Sequence, residues 1–423
     1  MNEKIYFIFI RYKIRYSHNK LKKYLSETMA ILGLVGKPNV GKSTLFNAMT
    51  EKAVDIANYP FTTINPNVGI SYITTPCPCK ELNLKCNPQN SKCIDGIRHI
   101  PVEVVDVAGL VPEAHKGKGM GNKFLDDLRQ ADAFVLVVDA SGKTDLEGNP
   151  TENHDPVEDV KFLLKELDMW IYGILSKNWD KLARRGQQQK NIVKIIAEQL
   201  SGLNISEEDV KSAINTLSLD ENPQRWREED LQNLAGTLRK ISKPMIIAAN
   251  KADHPDAMEN IKRLKEEFKD YIVIPTSAEI ELALRRAEKA GLIKYDRVKN
   301  DFEIVSDSLN EAQRNALEYI REYLKKYGST GVQEVLNRAY FDLLDMIVVY
   351  PVEDENKYSD KKGNVLPDSF LVKKGTTARD LAYMIHTEIG DKFIYAIDAR
   401  KKMRVGADYQ LKDGDIIKIV SAK

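Results

Sequence analysis

Four cysteines serve 423 residues, and they are confined to one stretch, as Cys77, Cys79, Cys86 and Cys93. That confinement excludes a framework of disulfides spread along the chain. Long hydrophobic runs are missing too. The longest are short, such as Ile5-Tyr6-Phe7-Ile8-Phe9-Ile10, far below the roughly 20 residues that cross a bilayer. Arg11, Lys13 and Arg15 follow that run directly and no A-x-A-like cleavage site appears, which argues against a secretory signal. Nor does either charge dominate. Lys+Arg 63 against Asp+Glu 62 leaves +1, so any contact with nucleic acid or a membrane must use a local patch rather than a global field. The expectation is a soluble cytoplasmic monomer with no membrane partner.

The length predicts two to four domains. Residues 1–28, rich in Lys, Arg and Tyr, precede the first strand signal just after Met29. They read as an extension from a start codon assigned too far upstream, the alternative being a basic segment that touches RNA. The first reading is preferred because the domain that follows is complete without them.

Four separated segments fit one nucleotide. The first is Gly36-Lys37-Pro38-Asn39-Val40-Gly41-Lys42-Ser43. It lies between the apolar run Ala30–Val35 and a helix beginning Ser43-Thr44-Leu45. G-x-x-x-x-G-K-S in that setting is a phosphate loop. Gly36 and Gly41 permit backbone angles that aim N–H groups at phosphate, and the helix N-terminus adds positive potential. Lys42 would reach the β- and γ-phosphates, and Ser43 would ligate Mg²⁺. The second segment, Asp106-Val107-Ala108-Gly109, ends a strand in a carboxylate suited to a hard cation, which it would hold through water. Gly109 would let its N–H approach the γ-phosphate.

The third and fourth segments address the base. Asn250-Lys251-Ala252-Asp253 follows the buried-strand signal Met245–Ala249, and Thr276-Ser277-Ala278 comes later. The Asp253 carboxylate matches the N1–H and exocyclic amine of guanine as a paired acceptor, a match adenine lacks. Asn250 would brace the loop or the base, Lys251 would cover the ring, and the Ala278 N–H would bond the guanine carbonyl.

With these residues identified, the chain resembles an Obg-family P-loop GTPase of the YchF type and its archaeal branch, from Met29 to the end. Asn58-Tyr59-Pro60-Phe61-Thr62-Thr63-Ile64-Asn65-Pro66-Asn67 resembles that family's first switch loop. Asp106–Val111 with the glycine-rich 116–125 resembles its second. The resemblance implies nucleotide contacts from Gly36, Pro38, Asn39, Val40, Gly41, Lys42, Ser43, Thr44, Asp106, Gly109, Asn250, Lys251, Asp253, Ser277 and Ala278. It implies Mg²⁺ at Ser43, Thr63 and Asp106, with Thr62 the neighbouring alternative to Thr63. Leu110 stands where many GTPases place a water-orienting glutamine, and His115 matches a histidine proposed for that role. Lys42, Thr63 and His115 are therefore the expected catalytic residues, with an inert loop histidine as the alternative for His115. Asn39 matches a residue that holds K⁺ in potassium-activated relatives, or makes a plain loop hydrogen bond.

The span between Asp106 and Asn250 exceeds what one strand and helix need. A helical insertion is expected over 142–240, opening at Asp155-Pro156, with further helices near Gln187–Leu200, Ser206–Leu217 and Glu228–Ile241. Trp170, Trp179 and Trp226 are expected in its core. Lys177, Lys181, Arg184, Arg185, Lys190 and Lys194 give it a basic side, either solvated or facing RNA. The cysteine cluster admits a Zn²⁺ knuckle, but Cys77-x-Cys79 is tighter than usual zinc spacing, and reduced structural thiols are favoured.

Residues 307–345 read as two helices joined at Gly328–Gly331. Beyond them, strand, strand, helix and strands make an α+β module that resembles a TGS domain, a ubiquitin-like β-grasp unit associated with RNA or ribosome contact. Its Arg400-Lys401-Lys402-Met403-Arg404 edge would bind phosphate or be an exposed charged turn.

The resulting fold class is α/β: a P-loop NTPase G domain in two parts (29–141 and 241–344) around the helical insertion, then the TGS domain (345–423). The expected activity is GTP hydrolysis to GDP and phosphate, a switch acting on the ribosome or structured RNA. The alternatives are an ATP-preferring YchF-like ATPase and a nucleotide-stabilised scaffold.

Overall fold

The structure, a computed structural model, describes residues 30–50, 67–107, 109–110, 113, 129–297 and 299–422. Seven strands make the central sheet: β1 (Ile31–Val35), β2 (Val68–Pro76), β3 (Lys92–Ile94), β4 (Ile97–Asp106), β5 (Ala133–Asp139), β6 (Met245–Asn250) and β7 (Ile272–Pro275). Their spatial order is β2-β4-β1-β5-β6-β7, with β3 paired to β4. β4, β1, β5, β6 and β7 run parallel to one another, whereas β2 and β3 run antiparallel to β4. β5 buries all seven of its residues and β6 all six, the near-continuous apolar run expected of strands covered on both faces. Leu34 lies opposite Asp106, and Asp139 opposite Asn250. This register brings the carboxyl ends of β1, β4, β5 and β6 to one edge, where ligands bind in open parallel sheets.

Helix α1 (Lys42–Met49) follows β1 and buries Leu45, Ala48 and Met49. The long connection to β4 contains one short helix, α2 (Pro78–Glu81). The insertion is helical as expected. In α3 (Pro156–Ser176), Asp155 caps the first turn by accepting from the Val157 N–H, and Pro156 occupies the first helical position. The chain continues through α4 (Trp179–Gln189), α5 (Ile192–Gln199), α6 (Glu207–Leu217) and α7 (Glu228–Ser242). The single helix expected over Gln187–Leu200 is two. Lys190 takes a left-handed φ of 49° and Asn191 caps the next helix through the Lys194 N–H. A Cβ at Gly186 would meet Ile192 at 2.6 Å, so this turn is packed tightly. Val160, Leu163, Leu167, Trp170 and Ile171 of α3 share one core with Leu231, Leu234 and Leu238 of α7. Trp179 and Trp226 stack with centroids 5.3 Å apart, so the tryptophans form core, as expected.

After β6 come α8 (Ala257–Glu267) and, beyond β7, α9 (Ala278–Lys289). A hairpin of β8 (Ile293–Asp296) and β9 (Asp301–Ile304) was not foreseen. The two expected helices are α10 (Glu311–Tyr327) and α11 (Val332–Arg338). The C-terminal sheet has the order β11-β10-β14-β12-β13. It comprises β10 (Met346–Val352), β11 (Phe370–Lys373), β12 (Phe393–Asp398), β13 (Met403–Val405) and β14 (Ile416–Ser421), and α12 (Ala378–Ile385) packs on it through Leu381. β10 and β14 are parallel at the centre.

One buried ion pair ties the insertion to the phosphate loop. Lys37 is 1% exposed. Its Nζ donates to Asp159 Oδ1 at 2.7 Å and to the Thr144 carbonyl at 2.8 Å. His154 Nε2 also lies 2.7 Å from Asp159 Oδ1. Burial pushes the Asp159 carboxyl above its usual range, against the pull of Lys37 and His154. Removing one partner of such a pair strands the other charge. Lys37→Met should therefore destabilise the protein by about 3–5 kcal/mol, and adding Asp159→Leu should recover most of the loss. Urea unfolding of the single and double variants checks this, and an additive double variant would refute it.

Candidate functional site

The first two segments meet at the carboxyl ends of β1 and β4. Asn39 and Gly41 take left-handed φ values of 63° and 86°, turning the backbone so that α1 begins at Lys42. Glycine is required at 41 for space as well, because a Cβ there would sit 2.4 Å from Asn250 Nδ2. At Gly36 a Cβ would meet the Val137 carbonyl at 2.6 Å. Thr44 is half-buried in the first turn of α1. Lys42 Nζ donates to Asp106 Oδ1, and Ser43 Oγ donates to Asp106 Oδ2 at 3.1 Å. The expected lysine, hydroxyl and carboxylate thus converge on one point.

This donor set fits Mg²⁺. The ion takes six oxygens at about 2.0–2.1 Å, so adjacent ligands stand about 3 Å apart. Ser43 Oγ offers one direct oxygen, and Asp106 Oδ2, 3.1 Å from it, stands where it would accept from a water of the same shell. Gly109 lies beside the loop, where an added Cβ would be 3.6 Å from the Pro38 nitrogen. Leu110 is 1% exposed, and its N–H donates to the Gly36 carbonyl at 3.1 Å. Asn39 Nδ2 donates to the Gly148 carbonyl at 2.9 Å, so its amide nitrogen makes the plain loop hydrogen bond.

The base-side segments join the same edge through Asn250. Its Nδ2 donates to the Val40 carbonyl at 2.9 Å, and its Oδ1 accepts from the Ala278 N–H at 3.1 Å. The Ala278 N–H, expected to face the guanine carbonyl, is thus engaged within the protein here. Lys251 has φ 60°, and its Nζ donates to Asp139 Oδ2 at 2.7 Å. Asp253 is half-buried. Its Oδ1 accepts from Ser277 Oγ at 2.6 Å, and its carbonyl from the Tyr319 hydroxyl at 2.7 Å. Ser277 also caps α9 by accepting from the Ile280 N–H. Its own N–H is held by the Thr330 carbonyl at 2.9 Å.

Several participants escaped sequence reading. Asp139 accepts from Lys251, from Ser141 Oγ at 2.5 Å and from Thr144 Oγ1 at 2.9 Å. Its burial raises the carboxyl's pKa, but the hydrogen bonds from Lys251, Ser141 and Thr144 together outweigh burial and hold it below the usual range. The only signal for it was an aspartate closing a buried strand. Tyr319 reaches the site from α10, and no local pattern marks it. Thr63 and its neighbour Thr62, His115 and the glycine-rich 116–125 lie outside the described residues.

The charged surfaces expected to meet phosphate differ from each other. Lys177, Lys181, Arg184, Arg185, Lys190 and Lys194 are all exposed. On the C-terminal module, by contrast, Arg400 bonds Glu81 at 2.6 and 2.7 Å, and Lys401 bonds Asp398 at 2.6 Å. Arg404 lies over Tyr395 and Lys402 over Tyr358. That edge is largely neutralised by its own chain, which favours the charged-turn reading.

Comparison with known proteins agrees with this geometry. Residues 31–177 match the family model described as 50S ribosome-binding GTPase. Residues 248–354 match an Obg-like GTPase YGR210-like, G4 motif-containing domain, and residues 358–421 match the TGS domain. A GTP-binding protein of Methanocaldococcus jannaschii is 78% identical over 395 residues, covering 93% of this chain and 100% of the relative. The ribosome-binding ATPase YchF of Bacillus subtilis is 29% identical over 91% of this chain and 97% of its own length. The crystal structure of a GTP-binding protein from Pyrococcus horikoshii is similar with TM-score 0.75 and 50% identity, over 93% of this chain and 100% of that one. No described helix is long and apolar enough to cross a membrane. The chain belongs to the Obg-like, YchF-type family of P-loop GTPases, with a GTPase domain followed by a TGS domain.

Proposed function

We propose that the chain binds GTP at this edge and hydrolyses it to GDP and phosphate, as a switch that acts on the ribosome or on structured RNA. The observation that carries the reading is Asn250, whose one amide links the phosphate loop to the base-reading loop. Lys42 would leave Asp106 for the β- and γ-phosphates, and the N–H groups from Asn39 to Thr44 would cradle them. Mg²⁺, held by Ser43, Thr63 and (through water) Asp106, would neutralise charge developing on the phosphoryl oxygens. Leu110 is packed inside and carries no group that orients water; by the family resemblance His115 would take that role, and K⁺ beside Asn39 would add further positive charge.

Base choice falls to Asp253, presented by its bond to Ser277. A second reading, ATP preference, draws on the name of the Bacillus subtilis relative. The carboxylate opposes it, since adenine has no pair of donors to satisfy a half-buried Asp. A nucleotide-stabilised scaffold with little catalysis is the remaining alternative. For the ribosome or RNA, the exposed basic face of α4 and α5 is the better candidate surface than the paired edge near Arg400.

Two variants test the reading. Asp253→Asn should weaken GTP binding by about 100-fold or more and improve binding of xanthosine triphosphate, whose C2 oxygen suits an amide donor. Unaltered base choice in competition titrations would sink the assignment. His115→Ala should leave GTP affinity within about twofold and slow single-turnover hydrolysis by about 100-fold or more. Equal turnover would remove His115 from the mechanism and leave the guanine pocket standing.

A further inference from the structure

The long link between β2 and β4 holds every cysteine in the chain, and the fold gathers all four into one cluster. Cys77 precedes α2, Cys79 lies within it, Cys86 lies in the following loop and Cys93 is in the middle of β3. Their four sulfurs all lie within 4.8 Å of one another. Cys79 Sγ and Cys93 Sγ are 3.8 Å apart. A tetrahedral zinc thiolate with bonds of about 2.3 Å places its sulfurs about 3.8 Å apart. A disulfide would need about 2.05 Å and would use only a pair. All four thiols are free. The four cysteines of an iron–sulfur cluster are divided between two or four irons, which needs a wider cage. The tight Cys77-x-Cys79 spacing, which weighed against a metal at sequence level, is resolved by Pro78. It starts α2 and turns the chain so that both sulfurs join the cluster.

The backbone around the sulfurs is braced independently of any metal. The Cys77 N–H donates to the Gly96 carbonyl at 2.8 Å, and the Leu84 N–H to the Cys79 carbonyl at 2.8 Å. Asp95 and Gly96 take φ values of 50° and 79°, the two-residue turn that closes β3 onto β4 and fixes Cys93 opposite Arg98.

A buried cation, Arg98, stands beside the sulfurs, opposite Cys93 on the β3–β4 ladder. It is 0% exposed. Its guanidinium bonds Ser91 Oγ at 3.0 Å and the Leu366 carbonyl at 3.1 Å, both neutral groups. Its Nε has no hydrogen-bond partner among the described residues. Burial raises the Asp368 carboxyl and the Arg98 charge pulls against that rise, so Asp368 is a partial counter-charge, and the guanidinium also lies 5.2 Å from the Tyr350 ring centroid. Four thiolates around one divalent ion carry a net charge of −2, which the neighbouring Arg98 cation would offset in part.

We propose that Cys77, Cys79, Cys86 and Cys93 bind one Zn²⁺ as a closed tetrathiolate that staples the GTPase domain to the TGS domain. Four thiolates leave no open position, so the site is structural rather than catalytic. Soft sulfur ligands select zinc over the hard Mg²⁺ of the nucleotide site. What it staples is visible in the same segment. The Asn87 N–H donates to the Val365 carbonyl at 2.9 Å and the Gln89 N–H to the Pro367 carbonyl at 2.6 Å. Asn90 exchanges bonds of 3.0 and 2.9 Å with the Ser369 backbone. This segment has no regular structure between α2 and β3, so the metal would supply the core it lacks.

The test uses the full chain, purified reduced and without chelator. Elemental analysis should give about one zinc per chain, and Co²⁺ exchange should give the intense visible bands of a tetrahedral cobalt thiolate. A thiol reagent should find about four thiols only after a strong chelator is added, since the chain has four cysteines in all. Cys86→Ser with Cys93→Ser should lose the metal and expose the 82–91 segment to protease while GTP affinity is kept. Zinc below about a tenth of an equivalent with no cobalt thiolate bands, or iron in its place, overturns the proposal. If the double variant does not fold, the cobalt spectrum of the unaltered chain still decides.

Discussion

One carboxamide holds the nucleotide edge together. Asn250 ends β6, donates to the Val40 carbonyl and accepts from the Ala278 N–H. Phosphate loop, base loop and the start of α9 are therefore one rigid unit rather than three neighbouring loops. No shorter or charged side chain supplies a donor and an acceptor in opposite directions from this position. The close approach needs Gly41, whose missing Cβ leaves room for the amide. With that bridge in place, the proposed pocket would read base and phosphates at a fixed separation, the preorganisation that tight binding demands.

A second chain of polar contacts runs away from the pocket. Lys251 bonds Asp139, Thr144 bonds Asp139 through its hydroxyl, and the Thr144 carbonyl receives Lys37. Lys37 then reaches Asp159 on α3, where His154 joins. The 250–253 loop, the phosphate loop and the helical insertion thus share a buried, largely satisfied network. Such networks favour discrete arrangements over gradual deformation. This is a physical route by which a change at the nucleotide could reach the exposed basic face of α4 and α5. At the far side, the apolar cluster that includes Leu45 and Val104 continues through Cys77 and Cys79 to Tyr350, Leu366 and Leu371. The TGS domain is packed on the GTPase domain, not tethered to it.

Sequence reading reached most of this because the nucleotide motifs are local and their chemistry is strict. Gly36 to Ser43, Asp106 and Asn250 to Asp253 are each recognisable within a few residues, and the structure brings them to one edge. The capped start of α3 at Asp155-Pro156 was legible for the same reason. What stayed hidden depends on long-range pairing. Nothing near Lys37 announces Asp159, more than a hundred positions on, and Tyr319 reaches Asp253 from a helix that reads as ordinary. The break at Lys190 was missed because neither glycine nor proline marks it, and a lysine takes the left-handed turn itself. That four sulfurs would gather within 4.8 Å of one another was also hidden, because spacing alone does not show how Pro78 turns the chain.

The central claim is that the Asn250 amide unites phosphate and base recognition, and Asn250→Ala tests it most directly. Calorimetric titration with GDP and with GTP should show about a 100-fold or greater loss of affinity for both, in a variant whose circular dichroism matches the parent. Affinity within about threefold of the parent, in a folded variant, would contradict the account.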